Sequence, residues 1–203
     1  MKLLSILICT MPSRQDMFKA LLTELQQQIF TSKYKGQVEI WHDDSIDITT
    51  GKKRNILLQK SEGKYVVFID DDDLVSDRYV ELIMDCLNTN KEVDCVGING
   101  VISFDGKDEK KWFISKDYGK WFENQQGYYR TPNHITPIKR NIAINVMFPE
   151  VTHGEDYVYS MGVLPHLKTE AIIDCPLYHY RFIKPYSPPS SNESNHPYRP
   201  AFR

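Results

Sequence analysis

The chain has 203 residues, 41% of them hydrophobic and 26% charged, which is enough for one sizeable core and short of two. Its formal net charge of -2 excludes a global electrostatic case for binding nucleic acid or a membrane surface, so partners must be read from local sites. The four cysteines, Cys9, Cys86, Cys95 and Cys175, form no CxxC pair and read as ordinary thiols in a reducing, cytoplasmic setting.

The opening "MKLLSILICTMPSR" carries Lys2 and a short apolar run that ends at Thr10 and Pro12 without a small-x-small cleavage pattern. It reads as a first strand rather than a secretory leader. "DMFKALLTELQQQIF" follows as an amphipathic helix, "QVEIWHD" as a second strand and "GKKRNILLQKSEG" as a helix that begins near Gly51. "KYVVFID" is a third strand, "SDRYVELIMDCLNTN" a helix with Ser76 as its expected N-cap, and "VDCVGI" a fourth strand. This alternation implies βαβ units, a mostly parallel sheet and a ligand crevice at the carboxyl ends of its strands.

After Asn99 the pattern changes. Turn signals at Asp105-Gly106 and Tyr118-Gly119, set among aromatic and β-branched residues, predict hairpin-like structure. "EDYVYSMGVLPHL" reads as helical as far as Pro165, and "EAIIDCPLYHYRFI" as one or two late strands. No stretch approaches the ~20 apolar residues that span a bilayer, and there is no internal repeat. From Pro185 the chain is rich in Pro, Ser and Asn, the composition of an extended or partly disordered arm.

Four adjacent aspartates, Asp70 to Asp73, close the apolar run "YVVFI". Carboxylates packed this closely repel one another unless water, a helix N-terminus or a cation compensates. An EF-hand loop fails here, because Leu74 stands where a ligand is expected and Val75 where the glycine turn is needed. A haloacid-dehalogenase-type nucleophile fits the strand and the two-residue spacing, but Leu74 occupies the position where threonine is usual. The remaining reading is a DxD metal site. Residues two apart on an extended segment point the same way, so Asp70 and Asp72 can address one divalent cation that bridges a nucleoside diphosphate.

Several motifs then occur in order: "LSILICTMPSR", "WHDDS", "TTGKKRN", "FIDDDD" and "HGEDYVYSM". Together they resemble the family-2 glycosyltransferases of GT-A fold over roughly residues 1 to 182. The resemblance implies that Thr10 and Arg14 lie beside the base and ribose, and that Asp43 or Asp44 contacts the nucleotide. It also implies that Lys53, Arg54, Asp70 and Asp71 belong to the nucleotide-sugar site, with Asp70 and Asp72 on Mn2+ or Mg2+. The glycine often found in the second motif is absent. His179 precedes Arg181 in "YHYRFIKPYS", where the family often carries a histidine after its Tyr-Arg, so His179 is a candidate metal ligand and equally a core histidine. The Glu155-Asp156 pair supplies the base, and the resemblance favours Asp156.

The residues carry compatible roles of their own. Asp43 and Asp44 end a strand, where a carboxylate can accept hydrogen bonds from a ribose, or can cap a turn. Lys52, Lys53 and Arg54 open a helix whose N–H groups would favour a diphosphate. Trp112, Phe113, Trp121, Phe122, Tyr128 and Tyr129 offer an acceptor-binding wall, half or more of it core packing, and Asn133 and His134 follow in a Pro-bounded loop.

The expectation is a single α/β, GT-A-like Rossmann-type domain over residues 1–184 with a C-terminal acceptor-side extension. Residues 1–99 form its nucleotide-sugar half and residues 100–184 its acceptor-side and catalytic half, and 185–203 are an arm through which chains could associate. The function expected is metal-dependent, inverting transfer from a UDP-sugar to an acceptor hydroxyl of a glycan, a lipid-linked glycan, a protein or a modified base. The alternatives are the dehalogenase-type phosphatase, a nucleotidyltransferase of similar fold, and a non-catalytic nucleotide- or carbohydrate-binding protein.

Overall fold

Side-chain alternation along the first strand, β1 (Leu4–Cys9), sends Leu4, Ile6 and Ile8 into one apolar cluster and Leu7 into another, all of them fully buried. Strand β3 (Tyr65–Phe68) repeats the division, with Tyr65 and Val67 on the first face and Val66 and Phe68 on the second. A strand buried on both faces reads as a continuous apolar run, which is why these segments lack a polar stripe. The computed structural model describes residues 2–182.

Helices cover both faces. Helix α1 (Gln15–Thr31) lays Phe18, Leu21 and Leu25 on the first face, and α3 (Tyr79–Thr89) adds Tyr79, Val80, Ile83, Met84 and Leu87 at helical spacing. Helices α2 (Thr50–Lys60), α4 (Arg140–Val146) and α5 (Glu155–Val163) close the second face through Leu57, Leu58, Ala143, Tyr159 and Val163. The result is an α/β domain of three layers.

Strand β2 (Val38–Asp43) pairs parallel with β1, and β1 pairs parallel with β3. Next to β3 lies the two-residue β9 (Ile138–Lys139), antiparallel to β3 and to β5 (Cys95–Phe104). A hairpin joins β5 to β6 (Lys107–Ile114) through Asp105 and Gly106, both at positive φ (49° and 74°), the backbone of the tight turn that matches strand twist. The outer strands are β8 (Gly127–Arg130) and β7 (Phe122–Asn124). The last strand, β10 (Glu170–Phe182), runs parallel to β5 with bulges between Ile172 and Tyr178, and pairs antiparallel with β4 (Leu74–Val75).

One local expectation is corrected. Helix α3 begins at Tyr79 with Arg78 at the N-cap, so Ser76 does not cap it. Gln28 of α1 does that work across the layer: its Oε1 accepts from the Val80 N–H at 3.0 Å and its Nε2 donates to the Ser76 carbonyl at 2.8 Å. The late segment, expected as one or two strands, forms one. Helix α4 and strand β9 had no sequence expectation. Among the described residues no helix is long and apolar enough to cross a membrane, and the expected arm 185–203 lies outside them.

Candidate active site

Asp70 continues the alternation of Val66 and Phe68 and so meets the layer of α2 and α5. Its Oδ1 lies 3.1 Å from Arg54 NH2, and its Oδ2 lies 3.2 Å from His134 Nε2. The other arm of Arg54 donates to Glu155 Oε1 at 2.9 Å, while the rings of Phe68 and Phe148 flank the guanidinium at 5.7 and 5.3 Å. Glu155, Arg54, Asp70 and His134 thus form one row, buried except at the half-buried Asp70. Burial alone would push the Asp70 carboxyl up, but His134 and Arg54 hold it below the ordinary carboxylate range. Burial pushes Glu155 up, against the pull of Arg54.

The other three aspartates are answered separately. Arg14 NH1 bridges Asp71 Oδ1 at 3.0 Å and Asp72 Oδ2 at 2.9 Å. Asp73 points inward, where its Oδ2 accepts from the Tyr178 hydroxyl at 2.7 Å and its Oδ1 from the Arg181 N–H at 2.8 Å. Its own N–H donates to the Asp70 carbonyl at 3.1 Å and closes the turn. Arg181 Nε donates to the Asp72 carbonyl at 2.7 Å, and the Asp70 N–H to the Tyr178 hydroxyl at 3.1 Å. Burial, then the Asp70 charge, pushes Asp73 well above the usual range, and burial and Asp70 raise Asp72 as well. Repulsion within the cluster is met by arginines, a histidine and donors from β10.

At the ends of β1 and β2, Thr10 donates its N–H to the Asp43 carbonyl at 3.0 Å and accepts at its own carbonyl from Lys53 Nζ at 2.7 Å. Asp43 is buried, with Oδ1 accepting from the Ser45 N–H at 2.9 Å, whereas Asp44 is exposed. The N-terminus of α2 is closed to an anion at two of its donors. The Thr49 side chain caps the Lys52 N–H at 3.2 Å, and the Gly51 N–H donates to the Val151 carbonyl at 3.0 Å. Gly51 is required by that contact, because a Cβ there would stand 1.9 Å from the Pro149 carbonyl oxygen. Lys53 and Arg54 therefore turn their charged ends into the protein, and Lys52 is the exposed cation of this turn.

His179 is not brought to the aspartates: its Nε2 bonds Ser103 Oγ at 2.8 Å. The histidine at Asp70 is His134, expected only as part of a Pro-bounded loop with no assigned role. It sits in a segment, 131–138, every residue of which is buried. Loops normally run over the surface because their backbone needs water. This one bonds itself, with Asn133 Oδ1 accepting from Ile135 N–H, Thr136 Oγ1 from Asn133 N–H, and the His134 carbonyl from Phe68 N–H. The run of Asn, Thr and Pro around His134 is the signal that could have marked it.

Asp156 is half-buried in the first turn of α5, beside the buried Glu155 and behind Gly154 at φ 80°. It shares a neighbourhood with the turn, for burial followed by the charges of Asp70, Asp73, Asp72 and Asp156 pushes the Tyr180 phenol up. Of the aromatic wall, Trp112 and Tyr128 are core. Phe113 and Phe122 stack on Tyr129 with centroids 5.2 and 4.7 Å apart, and Tyr118 meets that stack edge-on. Trp121 stands apart, edge to face with Tyr157 at 5.2 Å.

These features define a Rossmann-type α/β domain with an acidic turn at the carboxyl end of a central strand, where such folds bind their ligands. Residues 6–149 match the family model of glycosyl transferase family 2, and the chain belongs to that family. No match is found among curated proteins. Among solved structures the chain is similar to S. aureus TarS 1–349, with 17% identity and a TM-score of 0.65, over 89% of this chain and 60% of that one. The complex of TarS 1–349 with UDP-GlcNAc gives 16% identity and a TM-score of 0.65 over 97% of this chain and 60% of that one, and a further complex holds UDP. The chain thus spans 60% of the length of those structures, and the likeness establishes a GT-A-like fold. The dehalogenase-type and nucleotidyltransferase readings fall with the family match. Asp70 is also ill suited to nucleophilic attack, since Arg54 and His134 occupy both of its oxygens.

Proposed function

We propose that the chain transfers a sugar from a UDP-sugar to an acceptor hydroxyl with inversion, assisted by a divalent cation. The observation that carries the reading is Arg54, which ties Asp70 of the acidic turn to Glu155, the residue that precedes Asp156 at the start of α5. TarS, similar in fold, is known in complexes with UDP and UDP-GlcNAc, which favours a uridine nucleotide.

Asp156 serves as the base in this reading. It takes the proton from the acceptor hydroxyl as that oxygen attacks the anomeric carbon opposite the diphosphate. Glu155, neutralised by Arg54, is a positioning residue for Arg54 and for the start of α5. Arg14, bridging Asp71 and Asp72 just after β1, supplies positive charge to the nucleotide in this reading. Thr10 and Asp43, joined at the ends of β1 and β2, form the floor of its base and ribose site.

Asp70 and Asp72 on one turn would hold a hard cation by exchanging contacts they now make to Arg54, His134 and Arg14, and Asp72 is raised by burial and by like charge that a cation would relieve. Among the described residues no three His, Cys, Asp or Glu side chains gather into an ion site, so those residues supply at most two ligands, and a diphosphate and water would supply the others, as is common for Mg2+. When bound, the cation stabilises the charge of the departing diphosphate. The cysteines are free thiols, which suits a cytoplasmic protein.

Calorimetric titration of UDP with Mn2+ and with chelator tests the donor side, and the anomeric configuration of the product tests inversion. UDP binding that is equal with and without metal removes the cation. UDP-sugar binding with no transfer to any hydroxyl acceptor would leave the non-catalytic binding protein.

A further inference from the structure

Tyr157 follows Asp156 directly in α5, yet it is 47% exposed, whereas Tyr159, one alternate position on, is core. Adjacent helix positions point about 100° apart, so what brings Tyr157 toward the base is its neighbour Trp121, whose indole lies under an Arg130 guanidinium that also feels the Asp156 charge. Trp121 meets the Tyr157 ring edge to face, with an interplanar angle of 87°. The indole is held from behind: its Nε1 lies 2.9 Å from Thr131 Oγ1 and 3.4 Å from Ser160 Oγ, which are themselves 2.7 Å apart. Ser160 also donates to the Pro132 carbonyl at 2.8 Å, which fastens α5 to the buried loop that carries His134. The Arg130 guanidinium lies 4.8 Å over the indole. The pair is therefore fixed in place before any ligand arrives, as a recognition site requires. The Phe113, Tyr129 and Phe122 rings are different, because each is stacked on another ring, with Tyr129 taking both phenylalanines.

We infer that Tyr157 and Trp121 form the acceptor subsite and that the acceptor is a saturated sugar ring, whose apolar C–H face packs on Tyr157 while one hydroxyl reaches Asp156. This deepens the transferase reading and rests on it for the role of Asp156. An aromatic face selects a ring with a flat C–H surface over an extended polyol or a serine side chain, neither of which presents one.

The test is saturation-transfer NMR of the wild-type chain with methyl β-D-glucopyranoside, methyl β-D-galactopyranoside and the N-acetylglucosaminide, with sorbitol as the acyclic comparison. At least one pyranoside should show transfer to its axial C–H protons. That signal should survive Tyr157→Phe and fall with about ten-fold weaker binding in Tyr157→Ala, the order that loss of a stacking contact implies. Trp121→Phe, which keeps a ring without the indole N–H, should weaken it as well. Tyr157 is exposed, so Tyr157→Ala retains the fold, and a thermal melt verifies this. No pyranoside signal, a signal unchanged in Tyr157→Ala, or an equal signal from sorbitol would overturn the assignment. UDP affinity read by calorimetry on the same samples separates the two readings. A pyranoside signal that depends on Tyr157 without UDP binding upholds the sugar subsite and removes glycosyl transfer.

Discussion

Arg54 and Glu155, 101 residues apart in sequence, are joined by an ion pair of 2.9 Å in which both side chains are almost wholly buried. A charge placed there needs its partner. Removing one member of such a pair strands the other, at a cost on the order of 3–5 kcal/mol. Arg54→Ala should therefore lower the urea midpoint strongly and weaken UDP and uridine binding alike, since it is the frame that fails. Arg54→Lys should recover part of the stability, because one ammonium cannot span two carboxylates as the planar fork does. A selective loss for UDP with unchanged stability would instead place Arg54 on the diphosphate.

The same pair predicts different outcomes for the two acids of α5. Asp156→Asn should reduce transfer by ~10²–10⁴-fold while metal and UDP affinities hold, which is the usual worth of general-base assistance. Glu155→Gln should mainly lower stability, since Arg54 would lose a charged partner. Transfer assays must use an acceptor, because hydrolysis of the donor by water can persist without the base. Near-normal transfer by Asp156→Asn would move the base elsewhere.

Asp72 is raised by burial and by Asp70, and Arg14 is its ion-pair partner. Asp72→Asn removes one of the crowded charges, so the fold should be retained or slightly stabilised. The gain in UDP affinity produced by Mn2+ should disappear. Calorimetry with and without chelator reads this directly, and a gain that persists would take Asp72 out of the metal site.

Asp94 offers a pH prediction away from the crevice. Burial raises its carboxyl, but the Thr169 and Lys168 N–H groups and Lys139 Nζ outweigh that and hold it down to about 2, from an ordinary 3.8. A carboxylate with a depressed folded pKa contributes fully above its unfolded value and loses that contribution as pH falls from about 4 toward 2. Asp94→Asn should lower the melting temperature at neutral pH and flatten its acid decline across that window. A parallel decline in both proteins would show that Asp94 does not drive it.

Much of the first half was legible because each segment obeys one local rule. The apolar runs of β1 and β3 and the helical spacing of α1 and α3 need no distant partner to be recognised, and Asp105-Gly106 announces its turn by the backbone it must adopt. The site was legible as a set of residues and less so as an arrangement. Lys53 and Arg54 read as diphosphate ligands on an open helix start, but the 149–151 segment packs on Gly51 and turns them inward. Ser76 read as a cap because the glutamine that does the work is far away on α1. His179 and His134 could not be told apart, since nothing local says which histidine the loop 131–138 delivers to Asp70. Strand β9, only two residues long, carries no period at all.

The inward face of the aspartate turn has a further consequence for how the chain matures. Asp73 takes its partners from Tyr178 and Arg181, 105 and 108 positions later. Until those residues dock, the turn has no anchor on that side. Both apolar clusters also draw on later residues, Tyr178 on one face and Tyr159 on the other, so the acidic turn and the core around it are completed together.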